Sequence, residues 1–182
     1  MKFSTVLGAI CAATLSACAS QSGMAPPAFS QAALPEAVKV PAGHSVKLET
    51  VGVGEITYEC RTKKDMAGQF EWVFVGPDAA LNDRSGKRIG KYYGPPATWE
   101  AMDGSKVTGA QLAVSPASAG SIPMQLVKAN PALGAGAMQG VTYIQRVATQ
   151  GGVAPSIACV ASSMGQKQIV KYQADYIFWR AV

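Results

Sequence analysis

Histidine is almost absent from this sequence, cysteine is scarce and charged residues are few, and each shortage excludes a class of site. The single histidine, His44, lies in a loop rich in glycine and proline, a setting typical of an exposed histidine. With only two isolated cysteines left after the leader described below is removed, the chain cannot build a Cys/His zinc site. Positive charge is concentrated only at Lys63-Lys64 and in residues 84–91, without interleaved aromatics, so we expect no nucleic-acid partner.

The sequence also lacks the motifs of several enzyme classes. It has neither the Gly-x-Ser-x-Gly nucleophile elbow nor the P-loop pattern. Gly134-Ala135-Gly136 begins like a dinucleotide fingerprint, but the next glycine, Gly140, comes one position too late. No Cys-x-x-Cys spacing indicates a redox-active dithiol. We therefore expect neither a cofactor nor a bound metal.

The N-terminus has the parts of an export signal. Lys2 provides the positive charge, and the apolar or small residues 3–15 resemble the hydrophobic region of a signal peptide, too short for a stable membrane anchor. The segment ends in Leu15-Ser16-Ala17-Cys18, in which a leucine precedes a cysteine by three positions with small residues between. This is the lipobox that lipoprotein signal peptidase accepts. We predict cleavage after residue 17 and a lipid on Cys18 that attaches the mature chain to a membrane.

The residues around Cys18 bear on the compartment, and they leave one alternative open. Ala19 is not the aspartate that often retains bacterial lipoproteins at the inner membrane, so we expect an outer-membrane lipoprotein of the cell envelope. Ala17-Cys18-Ala19 also fits an ordinary A-x-A cleavage site, which would give a secreted soluble protein instead.

Three segments make up the predicted domain organisation: a signal peptide over residues 1–17, a lipidated N-terminus with a flexible tether over 18–37, and one folded domain over 38–182. The tether is rich in Ala, Ser, Gln, Gly and Pro and shows no hydrophobic periodicity. Because Cys11 leaves with the signal and Cys18 is acylated, Cys60 and Cys159 remain in the domain. In an exported chain we expect these two to form a structural disulfide.

Alternating hydrophobicity predicts a domain built of β-strands. In residues 55–61, Ile56, Tyr58 and Cys60 point to one side and the charges to the other, and residues 70–75 are apolar at nearly every position. Further strands are expected at 88–93, 98–102, 106–114, 124–128, 141–149, 157–161 and 169–179, with one helical turn at 77–81. Turn signals such as Asp103-Gly104 lie between them. This spacing predicts a single antiparallel β-barrel or β-sandwich.

Aromatic residues among prolines mark the first candidate site. Tyr92, Tyr93, Trp99 and Glu100 flank Gly94-Pro95-Pro96-Ala97, which we interpret as a loop. Aromatic side chains in such a loop are often exposed, where they can stack on a sugar or another flat molecule. The sequence therefore predicts a binding site here for a glycan or a small molecule.

Carboxylates provide the competing hypothesis, a hydrolase acting on an envelope or extracellular substrate such as a glycan. The candidates near turns or strand ends are Glu100, Asp103 and Asp175, and two of them would have to lie at the separation that glycosidases require. Asp103 already has an explanation as a turn residue. The spacing of these residues along the chain does not decide whether the fold brings any two together.

Short motifs follow one another along the domain: Tyr58-Glu59-Cys60-Arg61, Trp72-Val73-Phe74, Ile89-Gly90-Lys91-Tyr92-Tyr93, Val141-Thr142-Tyr143-Ile144-Gln145-Arg146-Val147 and Tyr172-Gln173-Ala174-Asp175-Tyr176. In number and order they resemble the domain of unknown function 3455 family, exported domains of bacteria and fungi, over residues 38–179. The resemblance implies one domain in which Cys60 pairs with Cys159. It brings no established activity and no catalytic set.

Tyr92 departs from the family pattern, which has a histidine before the tyrosine at this point. We therefore expect no general acid–base role at that position. Some relatives carry a malate dehydrogenase label, but this chain has neither a dinucleotide fingerprint nor the Arg/His/Asp constellation of hydride transfer. The scarcity of catalytic groups favours a non-enzymatic envelope module that binds a ligand or has a structural role. A third hypothesis is a surface-coat or assembly component, and the sequence does not determine the oligomeric state.

Overall fold

The computed structural model describes residues 28–182, so the predicted signal peptide and the lipidation site Cys18 lie outside the described residues. The described chain forms eight antiparallel strands that pair in sequence order, and the first pairs with the last to close a barrel. The strands are β1 (His44–Thr62), β2 (Phe70–Asn82), β3 (Arg88–Tyr93), β4 (Thr98–Ala101), β5 (Lys106–Ser115), β6 (Met124–Ala129), β7 (Val141–Gly151) and β8 (Lys167–Ala181). The predicted all-β antiparallel fold is confirmed, and it is a barrel.

The loops collect at two ends because each strand reverses direction relative to its neighbour. Loops 63–69, 94–97, 116–123 and 152–166 lie at one end, which we call the disulfide end. There Cys60, near the end of β1, is bonded to Cys159 in the β7–β8 loop with their Cα atoms 5.5 Å apart, as predicted. Loops 83–87, 102–105 and 130–140 lie at the opposite end.

The alternation predicted for residues 55–61 is present in β1. Ile56, Tyr58 and Cys60 are buried, whereas Glu55 and Glu59 are only partly so. β1 is long enough to pair with β2 on one side and with β8 on the other. Because side chains on a strand alternate between faces, the same pattern repeated around the ring fills the barrel interior with apolar residues.

Two predicted elements differ from the structure. Residues 157–161 are not a strand but part of the β7–β8 loop, because β8 itself already pairs with both β7 and β1. Residues 77–81 are not a helical turn but continue β2, with a register shift opposite Thr57 and Tyr58. Gly76 and Pro77 have the composition of a turn, but they lie within β2. Gly76 lets the backbone of β2 come close to the β3–β4 loop, since a Cβ at Gly76 would lie 2.3 Å from the Gly94 carbonyl oxygen.

The opposite end of the barrel is filled by its own loops. Met138 from the β6–β7 loop is 1 % exposed and joins the interior core. Its backbone N–H donates to Ser105 Oγ at 3.1 Å, and the N–H of Ala137 donates to Asp103 Oδ2 at 2.7 Å. These bonds hold the β6–β7 loop against the β4–β5 turn.

A second apolar cluster covers part of the outer surface. Val38 and Val40 pack there against β6, β7 and β8, and Phe29 contacts the same cluster. Gln145, fully buried on the outer face of β7, donates to Gln31 Oε1 and to the Val38 carbonyl. The described part of the predicted tether, residues 28–37, thus lies against the barrel, and ordered packing begins before Val38.

Candidate binding cleft at the disulfide end of the barrel

The four predicted ligand-binding residues are divided between the two faces of one hairpin. Tyr92 pairs with Trp99 across β3 and β4, and both side chains point into the barrel, 6 % and 1 % exposed. Their rings stack, with centroids 4.7 Å apart and planes 18° from parallel. The prediction that they are exposed in a loop is wrong, because β3 and β4 extend through both residues and strand alternation turns them inward.

Tyr93 and Glu100 lie on the outer face of the same hairpin. The Tyr93 hydroxyl donates to Glu100 Oε2 at 2.7 Å, and Lys91 Nζ lies 3.5 Å from Glu100 Oε1. The hydrogen bond from Tyr93, followed by the nearby positive charge of Lys91, lowers the pKa of Glu100. The structure therefore does not bring Tyr93 and Glu100 together with Tyr92 and Trp99 around one ligand position.

Tyr92 and Trp99 line a cleft of about 390 Å³ at the disulfide end of the barrel, which we call the mouth cleft. The other lining residues come from four strands and the β3–β4 loop: Phe74, Ala97, Gly109, Gln111, Gln125, Val127 and Arg146. Phe74 forms an apolar edge that is 51 % exposed. Barrel mouths and apolar cavities of this size are common locations for small ligands.

Arg146 is the one charged residue in the lining of the mouth cleft, as far as the described residues go. It is half-buried and lies on the same face of β7 as the core residue Ile144. Its Nε and Nη2 both donate to the Pro123 carbonyl, at 3.2 and 2.9 Å. Within residues 28–182, no carboxylate forms an ion pair with it.

The indole N–H of Trp99 is buried and has no hydrogen-bond partner within residues 28–182. The other two tryptophans bond their N–H groups: Trp72 to the Ile157 carbonyl at 2.7 Å, and Trp179 to Gln145 Oε1 at 2.8 Å. A buried donor without a partner is costly and rare in native proteins.

Two further tyrosines, Tyr172 and Tyr176, lie in the barrel interior beside Tyr92 and Trp99. The hydroxyls of Tyr172 and Tyr176 are 3.3 Å apart, and the Tyr92 ring lies 4.9 Å from that of Tyr176. Burial raises the pKa of all three phenols, and the nearby charge of Arg146 offsets this only in part. At neutral pH the three groups are therefore uncharged and do not act as bases.

The predicted catalytic carboxylates are held in separate places by separate partners. Asp103 lies in the β4–β5 turn at the opposite end, where it accepts from the backbone N–H of Ser105 and Ala137 and from Ser105 Oγ. Asp175 lies on β8, where Arg84 Nη1 donates to its Oδ2 at 2.7 Å. With Glu100 on the outer face of β4, the three do not form a common site.

Asp103 should instead make stability depend on acid pH. The hydrogen bond from Ser105 Oγ, followed by two backbone N–H bonds, lowers its folded-state pKa. A lowered pKa stabilises the fold above the unfolded-state value of about 4. That contribution is lost as the pH falls through the lower folded-state value. Urea unfolding should show that Asp103→Asn is less stable than wild type at pH 7, and that the difference narrows on acidification below about pH 4.

The exposed Asp65→Asn in loop 63–69 is the control for the change in charge. A difference between Asp103→Asn and wild type that stayed constant across the acid range would show that the hydrogen bonds to the carboxylate do not contribute in this way.

His44 lies at the start of β1, with Nδ1 3.1 Å from the Pro41 carbonyl oxygen and its ring edge against Tyr143. Over residues 28–182, no three His, Cys, Asp or Glu side chains lie close enough together to hold a metal ion. No helix in that range has both the length and the apolar character needed to cross a membrane.

The sequence analysis missed Arg146, Phe74, Gln111 and Gln125 as site residues. They lie on four different strands, and only the closed barrel brings them to the same cleft. One feature of the sequence could have identified Arg146. Side chains alternate between the two faces of a strand, so Arg146 lies on the same face as the apolar Ile144, which is expected to point into the core. A charge on a core face is unusual and indicates a role other than packing.

Comparison with known proteins gives one match. No curated protein and no solved structure matches the chain. Residues 41–180 match the family described as "Protein of unknown function (DUF3455)", a range that covers all eight strands except the last residue of β8. This agrees with the resemblance drawn from the sequence motifs, and the chain belongs to the DUF3455 family.

Proposed function

We propose that the protein is a non-enzymatic module of the cell envelope that binds a small molecule in the mouth cleft. The observation that carries the proposal is a cleft at the barrel mouth that holds Arg146, with which no carboxylate of residues 28–182 forms an ion pair. An anionic ligand in the cleft would supply that partner. An eight-stranded barrel is just wide enough to hold one small ligand.

The lining of the mouth cleft supports binding over hydrolysis. Among the described residues it contains aromatic, aliphatic and amide side chains and one arginine, but no Asp, Glu, His or Cys. Gln125 Nε2 donates to Gln111 Oε1 at 2.5 Å, so one hydrogen bond joins the two amide side chains of the lining. General acid–base catalysis needs a titrating group within reach of the substrate, and this lining offers none near neutral pH.

The predicted export and lipidation support placement in the envelope. The signal segment and the lipobox at Cys18 point to an outer-membrane lipoprotein, and the Cys60–Cys159 bond is of a kind that persists in oxidising compartments. The mass of the mature N-terminus distinguishes a lipoprotein from a secreted soluble protein. A diacylated Cys18 supports the lipoprotein, whereas an unmodified chain beginning near Cys18 supports the secreted form.

The binding function can be tested by filling the mouth cleft. Gln111 lies in the lining, so Gln111→Trp should place an indole where a ligand would lie. Its neighbour Ala110 is exposed and on the opposite face of β5, so Ala110→Trp is the matched control. Mature protein purified from the envelope should show, in native mass spectrometry, a bound small molecule that is released on denaturation.

We expect the bound mass in wild type and in Ala110→Trp, and at least a tenfold lower occupancy in Gln111→Trp. Equal occupancy in all three proteins would place the ligand outside the mouth cleft. A wild-type protein with no bound mass and no thermal shift against a panel of small molecules would contradict the binding function itself.

A further inference from the structure

We infer that the ligand of the mouth cleft is a small organic carboxylate with a flat, unsaturated body, whose carboxylate pairs with Arg146. The inference rests on the proposed binding function and goes beyond it by naming the chemical class of the ligand. Three features of the cleft carry it: an unpaired guanidinium, a flat aromatic surface and a limited volume.

The charge of the ligand follows from Arg146. Both of its bonds to protein go to one acceptor, the Pro123 carbonyl, and they use Nε and Nη2. The N–H groups of Nη1 form no hydrogen bond to residues 28–182. A half-buried cation is costly without an anion nearby, and none of the lining residues provides one.

The guanidinium fork favours a planar anion. Arginine binds carboxylates through two parallel N–H···O bonds, a geometry that a lysine cannot reproduce. The phenols nearest to Arg146 do not compete as anions, because burial raises the pKa of Tyr92 and Tyr176. A carboxylate on the ligand is therefore the best ion-pair partner for Arg146.

The shape of the ligand follows from the aromatic side chains. The half-exposed ring of Phe74 lies at the edge of the cleft and offers an aromatic face to a ligand, whereas Tyr92 and Trp99 also line the cleft but stack on each other and are 6 % and 1 % exposed. Aromatic faces pack best against flat apolar groups in offset-stacked or edge-on arrangements. A volume of about 390 Å³ is near the lower end of the range for ligand pockets, which favours a small molecule.

Calorimetric titration of the full mature protein with matched probes tests the ligand class. Cinnamate is a flat carboxylate, cinnamamide is its neutral counterpart, and octanoate is a carboxylate with a flexible, saturated body. We expect cinnamate to bind about tenfold more tightly than cinnamamide, because a hydrogen bond to a charged group is stronger than one to a neutral group. Octanoate should also bind more weakly than cinnamate.

Variants assign the effect to Arg146. Arg146→Gln should reduce the affinity for cinnamate about tenfold and leave that for cinnamamide unchanged. Arg146→Lys keeps the charge and should retain part of the affinity. Arg180→Gln removes an exposed arginine at the end of β8 near the other end of the barrel and should bind as wild type does. Circular dichroism and the melting temperature establish that each variant is folded.

The outcomes separate the ligand class from the binding function. Two results would show that the ligand is not recognised through a carboxylate: equal affinity for cinnamate and cinnamamide, or a folded Arg146→Gln protein that binds cinnamate as wild type does. Neither result would contradict binding in the cleft. If octanoate bound as tightly as cinnamate, the inference that the ligand has a flat, unsaturated body would be wrong. If wild type bound none of the three probes at millimolar concentration, the ligand class would be wrong. If the purified protein in addition carried no bound small molecule and showed no thermal shift against a panel of small molecules, the proposed binding function would be wrong as well.

Discussion

Replacing both Cys60 and Cys159 with alanine is expected to lower the free energy of unfolding by about 4–5 kcal/mol. The bond joins residues 99 positions apart and therefore closes most of the barrel into one loop. In the unfolded chain such a loop removes much conformational entropy, and the effect grows with loop length. Urea denaturation of the oxidised wild type and of the double variant measures the difference.

The β7–β8 loop keeps several other attachments when the disulfide is removed, among them two side-chain hydrogen bonds to its backbone carbonyls. Trp72 Nε1 donates to the Ile157 carbonyl at 2.7 Å, and the Tyr58 hydroxyl donates to the Gly152 carbonyl at 2.8 Å. We therefore expect the folded double variant to retain the barrel and the mouth cleft, with faster hydrogen exchange confined mainly to residues 152–166. A loss of less than about 1 kcal/mol would show that the bond contributes far less than chain entropy predicts.

Trp99→Ala should destabilise the protein by about 3–5 kcal/mol. The side chain is 1 % exposed, stacks on Tyr92 and meets the ring of Tyr176 edge-on with centroids 5.9 Å apart. Its removal leaves a cavity in the barrel interior that close-packed neighbours cannot fill by relaxing. Urea unfolding followed by circular dichroism measures the change.

Met102→Ala is the matched control, because Met102 is 71 % exposed in the neighbouring turn and should change stability by less than about 0.5 kcal/mol. Because Trp99→Ala damages the core, it is a poor test of binding. Trp99→Phe keeps an aromatic ring and removes only the indole N–H and part of the volume. If Trp99→Ala were as stable as Met102→Ala, Trp99 would not be packed in the interior as the structure shows.

The sequence predicts the all-β antiparallel fold class, but it does not predict that the sheet closes into a barrel. Alternation in residues 55–61 and the turn signals indicate antiparallel strands from local chemistry alone. Barrel and sandwich differ in whether β1 pairs with β8, a contact between residues more than 100 positions apart, such as Val51 and Asp175. Local patterns do not encode such pairings, so both architectures remained open. The disulfide could be predicted because the predicted signal cleavage before Cys18 and the predicted lipidation of Cys18 leave one pair of cysteines in the domain.

The site could be predicted only in part, for the same reason. Pro95 and Pro96 suggested that the aromatics beside them lie in an exposed loop, but strand pairing continues through Tyr92 and Trp99 and turns both inward. Residues 157–161 have the composition of a strand, yet they form a loop because the sheet is already closed without them. Arg146 lies 47 positions from Trp99 in sequence, and only the ring of strands brings both to one cleft.

The indole N–H signal of Trp99 tests the binding site most directly. The protein has three tryptophans and therefore three indole signals in a ¹H–¹⁵N spectrum, of which Trp99→Phe identifies the one that belongs to Trp99. Since Trp99 lines the mouth cleft whereas Trp72 and Trp179 do not, addition of cinnamate should shift the Trp99 signal and leave the other two nearly unchanged. A saturable shift of Trp99 alone is the expected result. Saturable binding that leaves the Trp99 signal in place would contradict a ligand site in the mouth cleft.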